Sequence, residues 1–344
     1  MMSGTRKYEG RRRVFIGRLR ILVMPLLMWA SATYSEPLYD QDNGVFSGVF
    51  NYADSTEGTT LAGEGRYSTS LSVITSSHSV NEQRGAESVT LDGETTRAEI
   101  AYRFGLGPRL EVGVELPYVW HASGNLDSFI EDWHKALGLP LGSRRRRPED
   151  QLQFTYEDDT GVRLDYGRNS DGMGDARIIA GWQLTDGPTY AVALRFGIKL
   201  PTGDSAEFHG SGGTDFSIGI AGDARELFGL NRLNGFFRAH VNHIGEPDLL
   251  SDRYRDLVGQ FATGFGYQVS KAVELRIQAT ARSATHHSAI EVLGQPSLAM
   301  SVGGNVRLSD HYQLSVAVSE DIKVRSAPDV SFQAALRYRP VDSR

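Results

Sequence analysis

The order of the residues predicts an all-β fold: a transmembrane antiparallel up-and-down β-barrel of about twelve strands, with fourteen as the competing count and a helix in one long extracellular loop. Three observations carry this. Segment after segment alternates apolar and polar residues with a period of two, the mark of a sheet with two different faces. The segments run about 9–13 residues, the length that crosses a bilayer at a tilt. The connections alternate short and long, the rhythm of periplasmic turns and extracellular loops.

Composition alone hides this fold. The 344 residues are 40% hydrophobic and 23% charged, with a mean hydropathy of −0.32. No stretch nears the roughly 18 apolar residues of a spanning helix, which excludes a multi-helix membrane protein. Cys is absent, which removes disulfide frameworks, thiolate metal sites and Cys nucleophiles. The net charge of −6 offers no ground for nucleic-acid binding.

Residues 1–32 read as a secretory signal peptide. Seven basic residues from Arg6 to Arg20 precede the apolar run Ile21–Ala30, and Ala30 and Ala32 form an A-x-A cleavage site. Its removal takes seven basic residues and one acid, Glu9, and moves the net charge from −6 to −12. Residues 33–64 hold one alternating stretch, Gly44–Tyr52. Counted as a strand, it would make thirteen, and bacterial single-chain barrels have even numbers. This segment is therefore expected either to plug the lumen or to lie on the periplasmic side.

The barrel is expected over residues 65–339, followed by a tail at 340–344. Its strands are read at Arg66–Ser77, Glu94–Phe104, Arg109–Trp120, Gly174–Leu184, Thr189–Leu200, Thr214–Gly222, Leu233–His243, Leu257–Val269, Val273–Arg282, Ser297–Leu308, His311–Ser319 and Asp329–Arg339. Outward aromatics near the short turns, among them Tyr102, Trp182, Tyr190, Tyr267 and Tyr312, are expected to form an interface girdle. The charged alternates cannot face lipid cheaply, at about 2–4 kcal/mol for Arg or Lys near the midplane. The solute-lining residues are therefore read as Arg97, Glu99, Arg103, Glu111, Glu115, Asp175, Arg177, Arg195, Lys199, Asp215, Arg238, His240, Glu274, Arg276, Arg282 and Arg307. They would either fill a narrow lumen as an ion-pair lattice or line a wet pore. In the first predicted hairpin one register pairs Arg103 with Glu111 and another pairs Arg97 with Glu115.

The long extracellular loop 121–173 contains a capping box, Ser128–Glu131, and an apolar stripe at helical spacing. Phe129, Ile130 and Trp133 of that stripe are the candidate constriction. Leu152–Tyr156 and Val162–Tyr166 are expected to form a hairpin above the membrane. Arg144–Arg147 in the same loop are either a ligand for lipopolysaccharide phosphates or a solvated charge run. His121 and Ser123 have a base-and-nucleophile spacing, which keeps a lipid-modifying hydrolase as an alternative. Asp171, Asp175, Asp204 and Asp215 follow the pattern of Gly-Asp turns, with Ca²⁺ ligation the competing reading. No cofactor or metal is expected.

Several motifs are familiar. Gly172–Asp175 (GMGD), Lys199–Asp204 (KLPTGD) and Gly210–Asp215 (GSGGTD) resemble motifs of the phenol meta-pathway group of outer-membrane barrels. Leu91–Thr95, Glu115–Tyr118, Phe129–His134 and Ser319–Ile322 are similar to an uncharacterised Gram-negative outer-membrane family, known only as a domain of unknown function. The resemblance implies an outer-membrane barrel with a transport role, partnered by outer-membrane lipids, lipopolysaccharide and the barrel-assembly machinery. The reading is a porin-like passive channel for a small-molecule solute. A closed structural or adhesion barrel is the other alternative.

Overall fold

The computed structural model describes residues 37–50, 58–124, 151–322 and 328–340. Twelve antiparallel strands close a barrel: β1 (Tyr67–Arg84), β2 (Glu87–Gly107), β3 (Leu110–Ala122), β7 (Arg177–Asp186), β8 (Tyr190–Lys199), β9 (Asp215–Ala224), β10 (Leu233–His243), β11 (Leu257–Gln268), β12 (Val273–Arg282), β13 (Ser297–Arg307), β14 (Tyr312–Asp321) and β15 (Val330–Tyr338). The last strand returns to the first, with Leu71 opposite Leu336. Closure removes the unpaired edges that an open sheet would present. Three short strands stand outside the ring, β4 (Gln153–Asp158), β5 (Gly161–Tyr166) and β6 (Ser170–Met173).

The period-two reading locates all twelve barrel strands, and the count is twelve, not fourteen. Its boundaries fail chiefly at the β1–β2 hairpin and at β7. β1 and β2 run on past Ser77 and start before Glu94, pairing up to Arg84 opposite Glu87. Only about 9–11 residues are needed to span the bilayer, so this hairpin projects well beyond it. Its upper rungs bury Val80, Val89 and Leu91 under the loops. The other miss is β7, which begins three residues late. β6 and β7 both pair with β3, and the gap Gly174–Ala176 lies across from Pro117. Proline has no N–H to offer a ladder, and the Pro117 carbonyl takes a bond from Gly174 N at 2.9 Å instead.

The outer wall is apolar. Ile100 (59% exposed), Trp182 (50%), Ile218 (54%) and Val302 (56%) face outward among many others. In water such a belt would forfeit roughly 1.5–3 kcal/mol per large side chain, so the wall fits lipid. Tyr67 stacks between Tyr102 and Tyr338, with ring centroids 6.0 and 5.5 Å away. They sit at the short-turn end, where the girdle is expected. Tyr118 and Trp120, 4.7 Å apart, mark the opposite rim. No described helix is long and apolar enough to cross a membrane.

At the long-loop end the polarity reverses. The β4–β5 hairpin, present as expected from the sequence, pairs with β2. Beneath it Phe154, Tyr156, Tyr166, Phe208, Leu250 and Ile290 join Val80, Val89 and Leu91 in one buried apolar cluster. The expected helix with Phe129, Ile130 and Trp133, the Arg144–Arg147 run and the signal peptide lie outside the described residues.

Candidate functional site

The site is the barrel interior. The strands that carry charged alternates turn them inward, and most are buried to within a few per cent, including Arg97 at 2%, Glu111 at 1%, Asp175 at 0% and Arg238 at 1% exposure. Arg103, Glu274 and Arg307 are half-buried. A row of single residues on different strands thus becomes a lattice of ion pairs. Glu111 meets Arg195 at 2.5 Å and Arg103 at 4.0 Å, while Glu115 meets Arg103 at 2.7 Å and Arg177 at 2.8 Å.

Neither register expected for the β2–β3 hairpin forms. A bulge between Gly105 and Gly107 sets Arg103 opposite Gly113 and Arg97 opposite Val119. Arg103 thereby stands between Glu111 and Glu115 and reaches both. Gly113 makes the room, since a Cβ there would lie 3.0 Å from the Arg103 side chain.

The three glycine motifs converge on a second node. Lys199 contacts Asp175 at 3.0 Å and Asp215 at 2.8 Å, and donates to Ser211 Oγ. Asp175 accepts from Gly203 N and Ser211 N, and Asp215 from Gly245 N, each at 2.9 Å. This node ties loops 201–213 and 244–256 to the wall. The Asp175 carboxylate leaves no space beside Gly210, where a Cβ would approach its Oδ1 to 2.3 Å. Asp204 caps the short helical turn Ser205–Glu207 by accepting from Ala206 N at 2.9 Å, and Asp171 accepts from the Tyr118 hydroxyl. Asp175 and Asp215 thus share one cation while Asp171 and Asp204 stand apart, and among the described residues no acid or histidine cluster could hold a metal.

A third group lies on β9, β10 and β12. Arg238 pairs with Asp223 at 3.0 Å, and Arg276 with Glu274 at 3.1 Å. Both guanidinium carbons face the Phe236 ring, at 5.4 and 5.1 Å, a cation–π arrangement. His240 is buried opposite Gly219, where a Cβ would collide with its ring.

Residues 37–50 and 58–64 precede β1 and meet this wall from inside. Asp40 lies 3.4 Å from Arg282 and accepts from Gln278 at 3.2 Å and from Thr280. Asn43 Nδ2 donates to Thr95 O at 2.7 Å, and Arg97 Nη2 donates to Gly48 O at 2.7 Å. Arg195 Nε donates to Gly58 O at 3.0 Å, and Ala62 N to Glu111 at 2.6 Å. Thr59 bonds Asp223. The contacts reach β2, β3, β8, β9 and β12, which lie all round the ring. Gly44–Phe50, which alternates like a strand, is instead a turn followed by one short helical turn, Gly48–Phe50. Cavities of about 40 Å³ and 30 Å³ remain between this segment and the wall, far below the ~300 Å³ of a small-molecule pocket.

The upper part of the segment enters the apolar cluster. Phe46 packs edge-on against Tyr156, Phe208 and His286, at 6.4, 6.4 and 6.3 Å. Burial pushes the His286 imidazole down to about 4. His121 sits 3.0 Å from Thr95 Oγ1 and 3.2 Å from Phe208 O through its two ring nitrogens. Both ring nitrogens are thus engaged at this end of the barrel.

Sequence reasoning missed Asp40, Asp42, Asp223 and Phe46. Asp223 was findable, because the alternation from Asp215 carries it inward had β9 been extended beyond Gly222. Asp40 and Asp42 precede the alternating stretch, and Phe46 lies in an alternation that does not form a strand, so nothing local told which way they face.

A known barrel shares this architecture. The crystal structure of the COG4313 outer membrane channel from Pseudomonas putida F1 aligns with a TM-score of 0.53 at 13% identity, covering 83% of this chain and 98% of that one. The KdgM porin in complex with disordered oligogalacturonate aligns at 0.41 and 9%, covering 79% and 99%. The NanC porin aligns at 0.44 and 8%, covering 80% and 100%. At these identities the likeness to the Pseudomonas channel shows a common fold. Comparison with curated proteins finds no match. One family profile matches, over residues 50–340, and the chain belongs to that family, described as protein of unknown function (DUF3187).

Proposed function

We propose that this protein is an outer-membrane channel for a small-molecule solute, held shut by the segment before β1. The supporting observation is how that segment is held. Asp40, Asn43, Gly48, Gly58, Thr59 and Ala62 all bind the inner wall through hydrogen bonds or ion pairs. Water or a polar solute can take over such contacts, each worth about 1.5–3 kcal/mol net where a charged group is involved, because both offer the same donors and acceptors. A permanently closed barrel would gain more from an apolar filling. Outer-membrane lipids and lipopolysaccharide surround the wall in this reading, and the barrel-assembly machinery inserts it.

Planar-bilayer recording of the mature chain and of a chain lacking residues 37–64 tests the proposal. Rare openings are expected from the first and steady conductance from the second, with heat-modifiable gel migration confirming both barrels. No current from the shortened chain would leave a closed structural or adhesion barrel. Phospholipase activity is expected to be equally absent from the wild type and Ser123→Ala.

A further inference from the structure

The lumen cations divide the carboxylates unevenly. Arg195 rests on Glu111, Arg177 on Glu115, Lys199 between Asp175 and Asp215, and Arg238 on Asp223. Arg97 has none of these. It is 2% exposed, its guanidinium donates from Nη2 to the Gly48 carbonyl at 2.7 Å, and its Nε and Nη1 have no hydrogen-bond partner. Among the described residues no carboxylate is in ion-pair contact with it, and Glu99, Asp175 and Asp42 act on it only from farther off. A buried guanidinium with no carboxylate in contact is costly, and three of its five N–H groups, one on Nε and two on Nη1, are left unused.

The cover over Arg97 is itself shaped like an anion. Asp42 Oδ1 closes the turn by accepting from Gly44 N at 3.0 Å and Ser47 Oγ at 2.8 Å. Its Oδ2 lies 3.8 Å from Arg282 Nε. The same turn ends in Gly48, whose carbonyl faces Arg97. Asp40 also reaches Arg282, at 3.4 Å, so two carboxylates on Arg282 and one carbonyl on Arg97 tie the segment to β12 and β2, five places apart around the twelve-strand ring.

We infer that the lumen carries a small carboxylate anion, held between Arg97 and Arg282, and that the Asp42–Gly48 turn occupies the same place in the closed barrel. A planar carboxylate fits a guanidinium fork through two parallel bonds. A neutral solute would leave Arg97 as it stands, and a cation would be repelled. This rests on the channel reading above and adds the chemical class of the solute.

The test uses the full mature chain with Asp40→Asn and Asp42→Asn, which loosen the segment while leaving the wall unchanged. Reversal potentials in a KCl gradient and swelling of liposomes in gluconate against glucose are the readouts. Chloride is expected to permeate several-fold over potassium, and gluconate to enter faster than glucose. Adding Arg97→Gln should lower the anion preference at least threefold, and Arg97→Lys should keep most of it. Unchanged selectivity in Arg97→Gln overturns the inference and leaves the channel standing. Should Arg97→Gln lose its heat-modifiable barrel, the Arg97-intact chain still decides, since a potassium preference overturns the inference. Should the double-Asn chain stay silent, the chain lacking residues 37–64 carries the same selectivity test, and absence of current from both removes both readings.

Discussion

In the lumen the internal segment meets Arg97, Glu111, Arg195 and Arg282. At the long-loop end, a few residues away along the same segment, it meets Tyr156, Phe208 and His286. The difference follows from what lies outside each wall. Around the barrel the outer solvent is lipid, so each strand gives its apolar alternates to the outside and keeps charge within. Above the bilayer the outside is water, and Phe154, Tyr166 and Leu250 return to the interior as in a soluble protein. One segment is thus gripped by exchangeable polar contacts at one level and by a dry cluster at the next.

The largest test of this contrast is Lys199→Met, which strips two buried carboxylates of their cation. A loss of about 3–5 kcal/mol is expected from denaturant unfolding in detergent, and a loss below 1 kcal/mol would mean that the lattice contributes no more than surface pairs do. Phe46→Ala should cost about 3 kcal/mol. Hydrogen exchange would show the loosening at the long-loop end, with β7–β9 amides in the membrane unchanged.

Acid should act on the dry end. His286 is neutral in the folded protein, its value lowered to about 4 by burial, while the unfolded chain takes a proton near pH 6.5. Stability should therefore fall as pH drops from about 6.5 to about 4 and level off below, by roughly 3 kcal/mol at most. His286→Gln should remove that residue's share of the slope. Asp158, held down to about 2 by hydrogen bonds from Thr160 with Arg163 and Arg253 beside it, favours the fold above its unfolded value. That contribution is lost only as pH falls from about 4 to 2, outside the histidine window. The smallest effect belongs to the exposed pair Arg163–Asp252 at 2.6 Å. Asp252→Asn should cost under about 1 kcal/mol and nothing measurable in 1 M salt, whereas the Lys199 node should be indifferent to salt.

Much of the wall was legible because lipid on one side and water or charge on the other impose a period of two on every strand. The boundary errors at β1, β2 and β7 arose where that constraint stops. Past Ser77 the hairpin leaves the bilayer, and at Gly174 a proline across the gap interrupts the ladder. The glycine motifs were visible as strings, yet their purpose was not. That Lys199, Asp175, Ser211 and Asp215 meet in one node depends on which strands are neighbours.

By itself the sequence determined the fold class and the two-faced character of each strand, because alternation is a local property set by two solvents. Only the tertiary structure decided the partners across the lumen, the bulged register that gives Arg103 to two glutamates, and the placing of residues 37–50 and 58–64 against the inner wall. Those are contacts between residues up to 242 positions apart, such as Asp40 with Arg282. No short-range pattern encodes them, since they exist only once the barrel has closed and brought its charged face round on itself.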